Sequence, residues 1–373
     1  DFTKKDQALD DVELGLSYIN RGLYSEGATL LNSALSLQTN NLTLNFFNEV
    51  LPNDSSIQID MKNVFQNLIE LDSTNLESYF YLSLLSSTKI NALNYINQFN
   101  EFNTNDYRGY LLCGNLFFDQ KEWINALFQY KRVLWLDQNN IDSWNGIGNC
   151  LYNLEEYQDA IIAFDQLLHI DPYFYKAYYF SGLSYIKLKK YKSSIPMLTQ
   201  SLLLDPENGS TYFNLGIAYF YTEKFTRAME AFNRSIKFNP QNGMAYYYLG
   251  NIYENILEID KAIESYIQAR KFSPQTIDVH YRLGMLLYKK GLLKESMEPL
   301  RTYIISEPNS LNVLEILGKI FLDQKRYPES IDTYIRLLKI YPERLDINLA
   351  LAEGYWQLKD FENARKIYQD ILL

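Results

Sequence analysis

Two histidines, two cysteines and 45 acidic side chains are the groups in this 373-residue chain that could do chemistry. Their spacing gives them little to do. His169 and His280 have no His or Cys partner at metal-ligand spacing. His169 falls near the end of a second helix of a helical pair and His280 at an aromatic packing position, so both read as structural. Cys113 and Cys150 are too few for a disulfide framework, and Cys113 stands where neighbouring segments carry Leu or Ile, which makes it a buried thiol. The glycines form neither a G-x-G-x-x-G cluster nor a P-loop, and no G-x-S-x-G elbow occurs. Carboxylates on solvated helix faces do not make an acid/base pair. The expectation is a chain without catalytic residue, metal or cofactor.

What the sequence does repeat is a period. Gly114, Gly148, Gly182, Gly216, Gly250, Gly284 and Gly318 recur every 34 residues. Small residues from Ala126 to Ser330 and prolines from Pro172 to Pro342 keep the same beat. Within the unit 141–174, Trp144, Ile147, Gly148 and Leu151 form one apolar helical stripe. A turn follows around Asn153–Glu156, and Tyr157, Ala160, Ile161, Phe164, Leu167 and Leu168 mark a second helix, stopped by Asp171-Pro172. Each unit is thus two antiparallel helices, with Gly148 and Ala160 small because the helices approach there.

This pattern resembles the tetratricopeptide repeat, W-x2-L-G-x2-Y, then A-x3-F, then P. One unit carries Tyr212, Leu215, Gly216, Tyr219, Ala228, Phe232 and Pro240; the next carries Tyr246, Leu249, Gly250, Tyr253, Ala262, Tyr266 and Pro274. Units start at 107, 141, 175, 209, 243, 277, 311 and 345, the last cut short at Leu373. Weaker units cover 8–41, 42–75 and 76–106. In these, Pro52 interrupts a first helix around Leu42–Val50, and the 31-residue unit 76–106 is expected to have lost three residues from its turn. The resemblance implies an all-α, right-handed superhelical solenoid of about eleven hairpins. It divides into a divergent part, 1–106, and a regular array, 107–373, with a hinge or altered curvature between them.

In this family the second face of helix one lines a concave groove that binds peptides or helices. Counting from the start of each unit, positions 4, 7, 8 and 11 form the packed stripe. Positions 2, 5, 9, 12 and 13 lie about 110° away around the helix. Position 5 is aromatic in four consecutive units, Tyr179, Phe213, Tyr247 and Tyr281, and Tyr152, Phe220, Tyr288, Asn149 and Asn251 flank them. These nine are the expected partner-binding residues, since aromatics offer large area at low rotamer cost. Asn214 and Arg282 stand at position 6, and the C-terminal units turn acidic with Glu315, Asp323, Asp346 and Glu353. The Lys/Asn set that holds a C-terminal carboxylate in chaperone-binding members is absent from every three consecutive repeats, as is a continuous asparagine ladder.

Net charge is −10, which argues against nucleic acid and against anionic lipid. No stretch is long and apolar enough to cross a bilayer. The expected function is therefore a non-enzymatic scaffold that binds one or more proteins along its groove. The abundant Asn, Lys, Ile and Tyr fit an AT-rich, bacterial genome. Two rival readings remain open: a structural subunit of a bacterial cell-envelope or motility assembly, or the recruiting arm of a larger enzyme. The chain begins at Asp1, which leaves room for a leader or anchor upstream and keeps both cytoplasmic and periplasmic or envelope locations open. At its other end Ile367, Ile371, Leu372 and Leu373 need a cover. Oligomeric state is not legible.

Overall fold

The computed structural model describes residues 76–372 and scattered helical positions before them, among them Gly15, Gly27 and Phe65. Every regular element among the described residues is an α-helix. In chain order the first helices of the hairpins are α1 (Leu76–Leu84), α3 (Tyr107–Asp119), α5 (Ile141–Asn153), α7 (Tyr175–Lys187), α9 (Gly209–Tyr221), α11 (Gly243–Asn255), α13 (Ile277–Lys289), α15 (Leu311–Asp323) and α17 (Leu345–Gln357). Their partners are α2 (Lys89–Phe102), α4 (Trp123–Leu136), α6 (Tyr157–Ile170), α8 (Tyr191–Leu204), α10 (Phe225–Phe238), α12 (Ile259–Phe272), α14 (Leu293–Ser306), α16 (Tyr327–Ile340) and α18 (Phe361–Leu372). The expected units 8–41 and 42–75, with Leu42–Val50 and Pro52, lie largely outside the described residues, as do Leu373 and the side chain of Leu372.

Local signals set the helix ends. Asn140, Asn208 and Asn242 cap α5, α9 and α11, each side-chain oxygen accepting from the amide three residues on at 2.9–3.1 Å. The prolines from Pro172 to Pro342 follow the last residues of the second helices, where no further helical amide is needed. The three-residue link inside each hairpin from 107 onward holds a left-handed residue at position 15, with φ of 61° at Lys121, 64° at Glu155, 57° at Lys189, 59° at Glu223, 62° at Leu257, 81° at Gly291, 62° at Lys325 and 65° at Lys359. This closes the first helix: the Leu257 amide donates to the Glu254 carbonyl (3.1 Å) and the Glu258 amide to the Tyr253 carbonyl (2.9 Å).

The unit 76–106 corrects one expectation. Its turn is not shortened; residues 85–88 form a link one residue longer than the regular three, and the loss falls on α1, with 9 residues against 13 in α3. The deletion is thus absorbed at the end of the first helix instead of in the link. Thr88 then caps α2 through a bond from the Asn91 amide.

The chain forms two compact units, Asp1–Leu188 and Lys189–Leu373. In the first, one core gathers Phe65, Phe80, Ile96, Phe99, Leu112 and Cys113, and a second gathers Ala126, Tyr130, Ile147, Phe164 and Leu167. The first of these cores runs across residues 106–107, so the hinge expected there would have to open a packed seam. In the second unit, cores centre on Phe232 and Leu249, on Tyr266 and Leu283, and on Leu317 and Tyr334. Ile367 packs against the last of them. The small position 8 is sterically required: a Cβ on Gly250 would lie 2.6 Å from the Tyr266 ring, which is itself fully buried. No helix among the described residues is long and apolar enough to cross a membrane.

Candidate partner-binding face

Three of the four His and Cys side chains are buried within the repeats. Cys113 and Cys150 are both buried and free, and burial pushes each thiol up to about 12. His280 is buried, its Nε2 2.9 Å from the Pro274 carbonyl. His169 is exposed, 3.6 Å from Asp165 on its own helix. No group of three His, Cys, Asp or Glu side chains among the described residues could hold a metal ion.

The four position-5 rings are all half-buried, neither sealed between repeats nor standing free. Tyr179 belongs to the first unit and lies edge-on to Phe180, with centroids 5.3 Å apart. In the second unit Phe213 packs on Phe232 (5.9 Å) and on Tyr248 of the next hairpin (6.1 Å). Tyr247 lies edge-on to Tyr248 (5.4 Å) and donates to Asp278 at 2.5 Å. Burial, then that acceptor, raises its phenol above the ordinary range, so it stays a neutral donor. Tyr281 leans on Tyr303 at 5.0 Å.

The flanking residues divide. Phe220 meets Tyr248 edge-on at 5.2 Å and joins the aromatic shelf of the second unit. Tyr152 meets Phe180 at 5.7 Å in the first unit, and Tyr288 packs at the edge of a core of the second. Asn149 spends its amide on the Asn145 carbonyl (2.9 Å) and side-chain oxygen (3.0 Å). Asn251 is 8% exposed and its Oδ1 accepts from the Tyr266 hydroxyl at 2.6 Å. Its carbonyl is already committed to holding a core tyrosine.

Position 6 was undervalued by the sequence. Phe180 stacks on Phe164 (5.9 Å, 16°) and Tyr248 on Phe232 (5.4 Å, 8°), so each ring bridges one hairpin to the next. The usable signal was Phe at position 24 of the preceding repeat. Arg282, also at position 6, is held by Asp278 (2.7 Å) and Glu254 (3.2 Å). Phe220, Tyr221, Tyr247, Tyr248, Asn251, Asn255 and Arg282 line a concavity of about 270 Å³ in the second unit. Farther on, Asp323 and Glu353 share a larger one, about 500 Å³, with Lys319 and Lys325. Glu315 and Asp346, expected to add to that acidity, are both paired to Arg344 at 2.9 and 2.5 Å.

Family models described as tetratricopeptide repeat match residues 141–174, 175–208, 210–242 and 317–372, and one described as TPR repeat matches 258–291. No curated protein matches. Among solved structures, YrrB, described as a TPR protein with an unusual peptide-binding site, is 23% identical with a TM-score of 0.46, covering 50% of this chain and 96% of its own. MamA from Desulfovibrio magneticus is 23% identical at TM-score 0.44, covering 46% and 96%. PilF from Pseudomonas aeruginosa is 15% identical at 0.45, covering 60% and 97%. From its 34-residue helical hairpins and the models that match them, the chain belongs to the tetratricopeptide repeat family, whose members generally mediate protein–protein interactions.

Proposed function

We propose that this protein is a non-enzymatic scaffold that grips a peptide or helix of a partner protein on the first-helix face of its repeats. The observation that carries this reading is the half-buried aromatic shelf of the second unit. There Phe213, Phe220, Tyr247 and Tyr248 lean on one another beside a concavity of about 270 Å³. Rings fixed by their neighbours lose little freedom on binding, and the polar edge supplied by Tyr247, Asn255 and Arg282 can orient a backbone. Tyr281 and Tyr288 hold the corresponding repeat positions in the second unit, and Tyr179 and Tyr152 hold them in the first.

The test is site-specific photocrosslinking in the native organism. A benzophenone residue replaces Tyr247, Phe213 or, as the reference, the exposed Ile162, which projects from a second helix. A partner adduct from 247 or 213 and none from 162 is expected. The Phe213→Ala/Tyr247→Ala chain should then bind that partner more weakly, by about 1–3 kcal/mol per ring. Adducts from Ile162 alone would move the interaction to the second-helix face.

A further inference from the structure

One constellation occurs twice, four repeats apart. In the second unit Asp278 holds the Arg282 guanidinium at 2.7 Å and Glu254 at 3.2 Å, and the Tyr266 hydroxyl donates to Asn251 and lies 2.9 Å from the same Glu254. In the first unit the same repeat positions carry Asn115, Tyr130 and Asp142, and Tyr130 donates to Asn115 at 2.8 Å just as Tyr266 does to Asn251. The arginine position there is Gly146. The result is an open concavity of about 190 Å³ where the second unit is filled by its own side chain.

We propose that this concavity in the first unit is a receptor for an arginine side chain of a partner protein, seated over Gly146 against Asp142. Its lining suits a guest that only donates. Asp142 lines it with no cation bonded to it among the described residues, and its carboxyl is pushed up by burial. Asn149 directs its amide to Asn145 and leaves Oδ1 for the cavity, and the Tyr130 oxygen keeps a lone pair after donating to Asn115. Guanidinium carries five donors and no acceptor. Where the filled copy has Glu254 as a second anion, the open copy has Phe118, an aromatic ring in the lining of a kind that attracts cations. Gly146 cannot supply the missing side chain itself, since a Cβ there would lie 2.5 Å from the Tyr130 ring. No lysine or arginine among the described residues lines the concavity, which leaves the place open to a partner's cation. This inference deepens the partner-binding reading and rests on it only for the source of the arginine.

The site can be read without the partner. The full chain is titrated with N-acetyl-arginine amide, followed through the amide resonances of Asn115, Gly146 and Asn149. Saturable shifts confined to α3–α5 are expected, and N-acetyl-citrulline amide, of the same shape but uncharged, should give none. Asp142→Asn should weaken the probe roughly tenfold or more. Arg282→Ala should open the second copy and add a second set of shifts in α11–α13. Equal shifts from citrulline or from N-acetyl-lysine amide, or full binding by Asp142→Asn, overturn the assignment. Because the citrulline comparison uses the unaltered chain, misfolding of a variant cannot decide the matter. If the probe binds here while crosslinks place the partner only on second helices, the groove reading fails and this site stands.

Discussion

Gly250→Ala adds one methyl group in the place where two helices of a hairpin approach. The new Cβ would lie 2.6 Å from Cε1 and 2.7 Å from Cδ1 of Tyr266, against an ordinary contact of at least 3.4 Å. The ring must therefore retreat by about 0.8 Å, the difference between those distances. It has nowhere to go: Tyr266 is fully buried, and its hydroxyl donates to Asn251 at 2.6 Å and lies 2.9 Å from Glu254. Overpacking of this kind costs about 1–3 kcal/mol, and disturbing a buried hydrogen bond costs about 1 kcal/mol more. Alanine's better helix propensity returns about 1 kcal/mol. The net expectation is a loss of about 1–3 kcal/mol. Gly354→Ala is the control, since its Cβ would meet only Ile331 side-chain atoms at 3.1 and 3.8 Å. There the nearest contact is about 0.5 Å longer and the propensity gain works against it, so any loss should be smaller than at Gly250. Urea and thermal midpoints of the two variants give the answer by comparison with the parent, because a repeat array need not unfold in one step. A loss from Gly354→Ala as large as that from Gly250→Ala would refute the close-approach argument.

Leu257→Gly should stabilise the chain by about 0.5–1 kcal/mol, because Leu257 is 80% exposed at a φ of 62° that a side chain tolerates poorly. Gly291→Leu should do the reverse, and a melt in which neither variant shifts would contradict the strain. The two buried thiols make stability pH-dependent on the alkaline side. Their folded pKa lies near 12 against an ordinary 9.0, so their contribution is intact below pH 9 and is lost as pH rises toward 12. Cys113→Ala/Cys150→Ala should flatten that limb of the stability profile. For a partner with a basic flank on the C-terminal repeats, affinity should fall with added salt, and Asp323→Asn/Glu353→Gln should reduce the slope. An unchanged slope removes this concavity from the contact.

The period was legible because its residues answer to sterics that act at one position. Gly250 must be small for Tyr266, and Phe232 must be large to reach Tyr248, so each leaves a mark in the sequence every 34 residues. The left-handed link was not legible. Only Gly291 among the eight residues there is glycine, and the lysines, glutamates and one leucine at the others carry no sign of their backbone state. The face of the helix could be read, but not the division of labour on it. Asn149 and Asn251 share a repeat position, yet only Asn251 has a hydroxyl partner, because Tyr266 stands where the other repeat has Phe164. The 31-residue unit misled for a related reason: length alone does not say whether a link or a helix end gives way.

The ring at position 24 is owned by two hairpins at once. Phe164 lies under Gly148 of its own hairpin and stacks on Phe180 of the next; Phe232 does the same with Gly216 and Tyr248. During synthesis such a hairpin leaves the ribosome unfinished, with one face of its central ring still wet until the following helix arrives. Completion then travels in the direction of translation, each newborn hairpin sealing its predecessor. The same ownership sets where the chain tolerates being cut: a terminus placed after α6 or α10 exposes the ring that the missing hairpin would have covered.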